Sequence, residues 1–392
     1  MGSLLIKNAR AVLPDRVTPP LQVLIEDGKI TAIDETISAS APTLDLAGDY
    51  LFPGFVDVHI HGGGGADFMD ATVDAFETAV KAHLQRGTTT LVPTAMTATR
   101  QELLAFLDAF LAFRATSPYG SHTPGVHLEG PYFSGADSKS KGAQKGDVLR
   151  PIDMEEVELL IKAGKGRILR WDAAPELAHS AEFAARLKQE GILCAAAHTD
   201  ATGVEAQAGF EAGFSHVTHF YNACTAYKKR DQLVTAGIVE AAYLDDAVTV
   251  ELICDGKHIP KHCLHLALKI KGADKVLGIT DATRLACTDA KNGKLGSLTN
   301  GTEVIVDDGV AKLPDMTSFA GSICTMDRAL RVLCVDYEID CVTAAKMLST
   351  TPASHIGMSD AIGTIAPGKN ADLVRVTPDF TVKTVIKNGK LL

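Results

Sequence analysis

Between residues 55 and 281, eight short apolar runs alternate with segments of helical period. The runs cover 55–61, 89–94, 125–130, 168–173, 192–198, 216–221, 248–255 and 276–281. Helix-like stretches stand between them, among them 74–86, 101–114, 154–163, 180–189 and 261–271. Strand and helix in strict alternation build a parallel sheet, because each crossover must carry the chain back to the same edge. Eight such units predict an α/β fold of the (β/α)8 TIM type. The rival, an open doubly wound sheet, carries a G-x-G-x-x-G turn after its first strand. Gly62-Gly63-Gly64-Gly65 does not fit that spacing.

The two chain ends read differently. The first 50 residues and the last 25 are rich in β-formers, with Asp27-Gly28 and Asn388-Gly389 as turn signals. They are expected to meet in one small β-sandwich domain made of residues 1–53 and 360–392, leaving 54–359 to the barrel. After the eighth run, residues 296–313 read as an inserted hairpin turning at Asp308-Gly309.

Composition narrows the function. The 392 residues carry 38 basic and 48 acidic side chains, a net charge of −10, which argues against a dedicated nucleic-acid binder. No stretch approaches the roughly 18 apolar residues of a membrane span, and the first residues lack the layout of a signal peptide. All eight cysteines lie in the second half, none in a C-x-x-C pair, and several sit in apolar runs. They read as buried thiols of a reducing compartment, so a cytoplasmic protein is expected.

Polar residues gather where the predicted strands end, the face on which barrels build active sites. The first run closes Asp57-Val58-His59-Ile60-His61. Residues two apart share a strand face, so both imidazoles point to the barrel axis, either as ligands of a divalent metal such as zinc or as a satisfied polar pair. In His127-Leu128-Glu129, a carboxylate in an apolar mouth is costly unless paired or bound to a cation, which makes Glu129 a ligand candidate. His127 is favoured as a supporting hydrogen-bonding group. His198 follows three alanines, and His219 lies nearer the strand end than His216, which faces the other way. Asp281 either moves protons beside a metal-bound water or caps the next segment.

Together these stretches resemble the amidohydrolase superfamily, and most closely its N-acetylglucosamine-6-phosphate deacetylases. The resemblance covers nearly the whole chain. It rests on 53–62, His127-Leu128-Glu129-Gly130-Pro131, 198–202, 218–223, Asp255-Gly256-Lys257-His258, 280–282, Ala320-Gly321-Ser322 and the closing segment 363–373. It implies that Glu129, His198 and His219 hold the principal metal, that His59 and His61 belong to a second site, and that Asp281 is the acid/base. It also implies substrate contacts by Asn222, Ala223, Arg230 and His258, a barrel plus a small β-sandwich, and a homodimer. The family pattern has a histidine where Gln144 stands, so Gln144 is expected to contact substrate as a neutral donor. The segment 223–232 also departs from that pattern.

The expected reaction is hydrolysis of the acetamide of N-acetylglucosamine-6-phosphate with one or two divalent ions, zinc first and iron or manganese as alternatives. Another N-acyl sugar phosphate such as N-acetylgalactosamine-6-phosphate, an N-acyl amino acid or a cyclic amide are the rival substrates. A non-catalytic barrel would have lost ligands that this chain retains. For an anionic substrate, the basic residues Lys139, Lys141, Lys145, Lys228, Lys229 and Arg230 are expected to make the mouth locally positive.

Overall fold

The barrel strands are short and almost entirely buried, as parallel strands covered by helices on one side and one another on the other must be. The computed structural model describes residues 2–230 and 232–392, apart from the Arg230 side chain. The barrel strands are β1 (Phe55–Ile60), β2 (Thr88–Ala95), β3 (Val126–Tyr132), β4 (Ile168–Ala173), β5 (Leu193–Ala196), β6 (His216–Val217), β7 (Thr249–Ile253) and β8 (Val276–Ile279). Each pairs in parallel with the next. All eight predicted runs coincide with these strands. β1, β5, β7 and β8 stop before the histidine or aspartate that closes the run, and β6 stops before His219 within its run, because the chain turns there.

Closure falls on the functional face. Ile60 pairs in parallel with Ala282, the Asp281 N–H donates to the His59 carbonyl at 3.0 Å, and the His61 N–H donates to the Ala282 carbonyl at 2.8 Å. Beneath, Thr280 Oγ1 donates to Asp57 Oδ2 at 2.5 Å. Burial pushes the Asp57 carboxyl up to about 7, although the bonds from Thr280 work against it. Val56, Val58, Val92, Ile253, Leu277 and Ile279 pack together between β1, β2, β7 and β8. A larger apolar cluster joins the barrel to its helices, with Phe76, Phe106, Phe110 and Phe113 stacked on the outside of the first two units.

Both chain ends enter one eight-stranded sheet. Its path runs Lys390–Leu391, Val382–Lys387, Leu373–Val376, Tyr50–Pro53, Ser3–Ala11, Leu21–Glu26, Lys29–Asp34, with Thr43–Asp45 also paired to Ser3–Ala11. Its own core includes Ile6, Val23, Ile25, Leu51 and Leu373. The insertion after β8 has one strand more than a hairpin. Asn292–Leu295, Thr302–Asp307 and Val310–Lys312 form a three-stranded antiparallel sheet, with Asp308-Gly309 in the turn between the last two. Asn292–Leu295 carries lysine and glycine and no β-branched residue, which hides it from a propensity reading.

Lys387 links the terminal sheet to the barrel. Its ammonium lies 2.7 Å from Asp372 Oδ2 and 3.4 Å from Thr90 Oγ1 of β2, with both charged side chains buried. Removing one partner of a buried pair leaves the other uncompensated. Asp372→Asn is expected to lower the unfolding free energy by about 3 kcal/mol in urea denaturation. A loss below about 0.5 kcal/mol would mean that Lys387 stays hydrated.

Candidate active site

Six polar side chains converge at the C-terminal ends of the strands: His59, His61, Glu129, His198, His219 and Asp281, all buried. His59 and Glu129 lie within β1 and β3. His198, His219 and Asp281 follow β5, β6 and β8 with φ of 44°, 28° and 49°. Left-handed backbone at a non-glycine residue costs about 1–3 kcal/mol. Here it takes the chain off the strand path and turns these side chains over the barrel axis.

Glu129 is the common partner. Its Oε1 lies 3.0 Å from His198 Nε2 and 3.2 Å from His219 Nε2. Its Oε2 lies 3.5 Å from His61 Nε2, and Oε1 lies 3.8 Å from His59 Nε2. Asp281 Oδ1 faces His61 Nε2 at 3.1 Å and His59 Nε2 at 3.7 Å. The far nitrogens explain why the Nε2 atoms face inward. His198 Nδ1 is 2.8 Å from the Ser140 carbonyl, and His219 Nδ1 is 3.1 Å from the Asn222 carbonyl. His59 Nδ1 is 2.6 Å from a Glu251 oxygen. These partners are acceptors, so each Nδ1 carries a proton and each Nε2 is aimed at the centre, free to hold a metal ion when it is not itself protonated.

Lone pairs this close repel unless a cation or proton lies between them. His198 Nε2 and His219 Nε2 are 3.1 Å apart, and His59 Nε2 and His61 Nε2 are 3.3 Å apart. The ligand atoms fall into two groups that share Glu129: His59, His61 and Glu129, and Glu129, His198 and His219, each with its atoms within 4.8 Å of one another. Imidazole and carboxylate at this density suit a divalent transition metal. Among the described residues, His61 Nδ1 is buried without a hydrogen-bond partner. In the ion-free cluster protons take the cation's place. Burial opposes a charge on His61 and His219, yet their carboxylate neighbours outweigh it and raise both to about 9. Burial pushes the Asp281 carboxyl up, but the bond from His61 and the charges of His59 and His61 hold it below the usual range.

His127 and His216, the remaining histidines of the predicted strand runs, lie outside both groups. His127 Nε2 is 2.9 Å from Asp172 Oδ1 and its Nδ1 is 3.2 Å from Thr94 Oγ1. Burial, and then the nearby Arg170, lower it to about 4. It supports the cluster from below, as its position in the sequence suggests. His216 Nε2 is 3.2 Å from Glu251 Oε2.

A cavity open to solvent stands above the cluster, lined among others by Gln144, Asn222, Ala223 and His258. The Thr97 N–H donates to Gln144 Oε1 at 3.3 Å. That fixes the amide so that Nε2 donates to Glu129 Oε2 at 2.8 Å and lies 3.3 Å from His198 Nε2. His258 is held through Nδ1 by Asp255 Oδ2 at 2.8 Å, its ring centroid 4.8 Å from that of Phe319. Arg230 ends a short hairpin strand, Lys228–Arg230, and its side chain lies outside the described residues.

The loop lysines divide. Lys139 lines the cavity. Lys141 Nζ donates to the Gly142 and Gln144 carbonyls of its own loop at 3.3 Å, and Lys145 lies 3.5 Å from Asp147. Residue patterns missed the apolar wall formed by Met96, Leu295 and Phe319, two of which come from the region after β8. They also missed Arg170, Asp172 and Glu251 beneath the cluster. Charged residues in the middle of otherwise apolar strands were the available signal.

Residues 50–392 match the Amidohydrolase family. The chain is 32% identical over 395 residues to the N-acetylglucosamine-6-phosphate deacetylase of Bacillus subtilis (strain 168), covering 99% of this chain and 97% of that protein. It is 29% identical over 370 residues to the N-acetylgalactosamine-6-phosphate deacetylase of Escherichia coli O157:H7, covering 94% of each. The solved structure of N-acetylglucosamine-6-phosphate deacetylase from Pasteurella multocida superposes with a TM-score of 0.91 at 27% identity, covering 100% of this chain and 99% of that one. A mutant deacetylase from Mycobacterium smegmatis, solved in complex with N-acetyl-D-glucosamine-6-phosphate, superposes with a TM-score of 0.90 at 28% identity, with the same coverage.

The protonated cluster makes stability depend on pH when no metal is present. Folded-state values near 9 for His61 and His219 exceed the ordinary 6.5. Their contribution is therefore full below about pH 6.5 and is lost as pH rises through about 9. Chelator-treated protein is expected to show a Tm that falls from pH 6.5 to pH 9. A divalent ion should remove most of that slope, since it displaces the same protons. A slope indifferent to added metal would show that the ion binds elsewhere.

Proposed function

The chain belongs to the amidohydrolase family, and from that premise we propose that it hydrolyses the acetamide of N-acetylglucosamine-6-phosphate to glucosamine-6-phosphate and acetate, a step of amino-sugar breakdown. The observation that carries this reading is the convergence of four imidazoles and the carboxylates of Glu129 and Asp281 beneath a cavity open to solvent. Glu129, His198 and His219 are assigned to one divalent ion, and His59, His61 and Glu129 to a second. The nitrogen and oxygen donors favour zinc. When bound, the metal supplies Lewis acidity, lowering the pKa of a coordinated water towards about 7 and polarising the amide carbonyl.

The chain's own groups do the rest. Asp281 accepts the proton of the attacking water at Oδ1, beside His61, and returns it to the amine as the C–N bond breaks. The other product, acetate, carries the attacking oxygen. Gln144 holds Glu129 and His198 in place and presents an uncharged amide to the cavity. His258, fixed by Asp255, and the backbone at Asn222 and Ala223 line the side assigned to the sugar phosphate, with Lys139 and Arg230 supplying positive charge. The Met96, Leu295 and Phe319 wall keeps part of the cavity apolar, which strengthens the electrostatics around the reacting carbonyl.

The resemblance to an N-acetylgalactosamine-6-phosphate deacetylase supports the epimeric substrate as the second reading. Exposed Tyr227, Leu233 and Val234 on and beside the hairpin formed by Lys228–Arg230 and Leu233–Thr235 support a homodimer that covers them. Eight unpaired thiols favour the cytoplasm.

With added zinc, kcat/KM is expected to be highest for N-acetylglucosamine-6-phosphate. It should fall about 10²-fold for the sugar without its phosphate, whose absence leaves the anion-binding groups unpaired. A higher value for N-acetylgalactosamine-6-phosphate would reassign the substrate. Asp281→Asn should keep its metal content and lose about 10²–10⁴-fold in kcat, and near-normal turnover would remove Asp281 from its role.

A further inference from the structure

We propose that Glu251, clamped by Arg170, is a positioning residue for His59 and decides whether the protein holds one divalent ion or two. The inference rests on the two-ion reading above and deepens it.

Glu251 lies in β7 and Arg170 in β4, and both are buried at the level just below the metal cluster. Arg170 Nη1 donates to Glu251 Oε2 at 2.5 Å and Nη2 donates to Oε1 at 3.1 Å. The opposite edge of the guanidinium is fixed by Asp172, with Nε to Oδ1 at 2.8 Å and Nη2 to Oδ2 at 3.0 Å. Thr218 Oγ1 bridges the same groups, accepting from Arg170 Nη2 at 2.5 Å and donating to Asp172 Oδ2 at 2.7 Å. The guanidinium fork therefore holds the Glu251 carboxylate in one orientation.

That orientation is transmitted upward. Glu251 Oε1 faces His59 Nδ1 at 2.6 Å and accepts from the His219 backbone N–H at 3.1 Å. A carboxylate that already accepts from a guanidinium leaves His59 the donor, which fixes both its tautomer and its ring plane.

The two halves of the site differ in what orients them. His198 and His219 take their Nδ1 partners from the Ser140 and Asn222 carbonyls. In the other half, among the described residues, His61 Nδ1 has no partner, and Glu251 is the acceptor that orients His59 through Nδ1. Loss of the carboxylate also removes the acceptor of the His219 backbone N–H but leaves that ring its Asn222 partner, so it should fall hardest on the His59–His61 ion.

Glu251→Gln tests this. An amide NH2 in the Oε1 position faces the His59 Nδ1–H and the His219 N–H, both donors; in the Oε2 position it faces the donor Arg170 Nη1, with His216 Nε2 as its one acceptor, and the charge opposite Arg170 is lost either way. Glu251→Asp keeps the charge opposite Arg170 and draws the carboxylate away from His59, so it carries the test if the glutamine variant does not fold. Each protein is equilibrated with zinc buffers, and bound zinc per chain and its two dissociation constants are measured. Expected are two ions in the unmodified protein, and in the variants one ion retained while the second binds about 10–100-fold more weakly. In a His59→Asn background, Glu251→Gln should weaken the second ion no further, which a general packing defect would not reproduce. Unchanged dissociation constants in both variants, or equal weakening of both ions, would overturn the inference and leave the two-ion reading standing. One ion in the unmodified protein would instead remove the two-ion reading, and the inference with it.

Discussion

One desolvated carboxylate organises the mouth of this barrel. Glu129 has almost no water to share its charge, so everything within reach must supply positive character or a donor. Four imidazole nitrogens and the Gln144 amide do so. Their directions are set from behind, by Glu251 under His59 and by backbone carbonyls behind His198 and His219. The result is a set of lone pairs aimed at one small volume, an arrangement that is stable only with protons or metal ions within it.

Barrel closure depends on the same residues. The strands that must meet last, β1 and β8, are joined through the backbone of His59, His61, Asp281 and Ala282, with the Asp57–Thr280 bond below. The separation between the candidate acid/base and the HxH pair is therefore fixed by main-chain hydrogen bonds. A site on loops alone would not have that precision. The left-handed turns at His198, His219 and Asp281 are the local strain accepted for this placement, and the ladder on either side holds them.

Much of this was legible in the chain. The alternation of runs located all eight barrel strands, because buried parallel strands are short, apolar and bounded by polar turns. The spacing of His59 and His61, and the carboxylate of Glu129 in an apolar run, pointed at the cluster for the same reason: a strand alternates its faces, and a buried charge needs a partner. The layer beneath was less visible. Arg170 and Glu251 are 81 residues apart, and neither belongs to a motif whose spacing reveals its partner. Gln144 was legible as a departure, but only the Thr97 N–H shows which way its amide points. The third strand of the insertion, Asn292–Leu295, was hidden because its pairing is decided by its neighbours rather than by its own residues.

The sheet built from both chain ends bears on how the polypeptide acquires its shape during synthesis. Tyr50–Pro53 pairs with Leu373–Val376, and Lys29 bonds to Asn370 across 341 residues. Tyr50–Pro53 and Lys29 therefore leave the ribosome long before their C-terminal partners exist, although Ser3–Ala11 already has its own partners in Leu21–Glu26 and Tyr50–Pro53. At about 5–20 residues per second, that interval is tens of seconds. Throughout it the N-terminal strands present an unpaired edge, the kind of surface that invites pairing with another chain. The barrel, whose neighbouring strands are also consecutive, can condense unit by unit in the meantime. The last strands to emerge then seal the first, so completion of translation, rather than local propensity, sets when the small sheet can form.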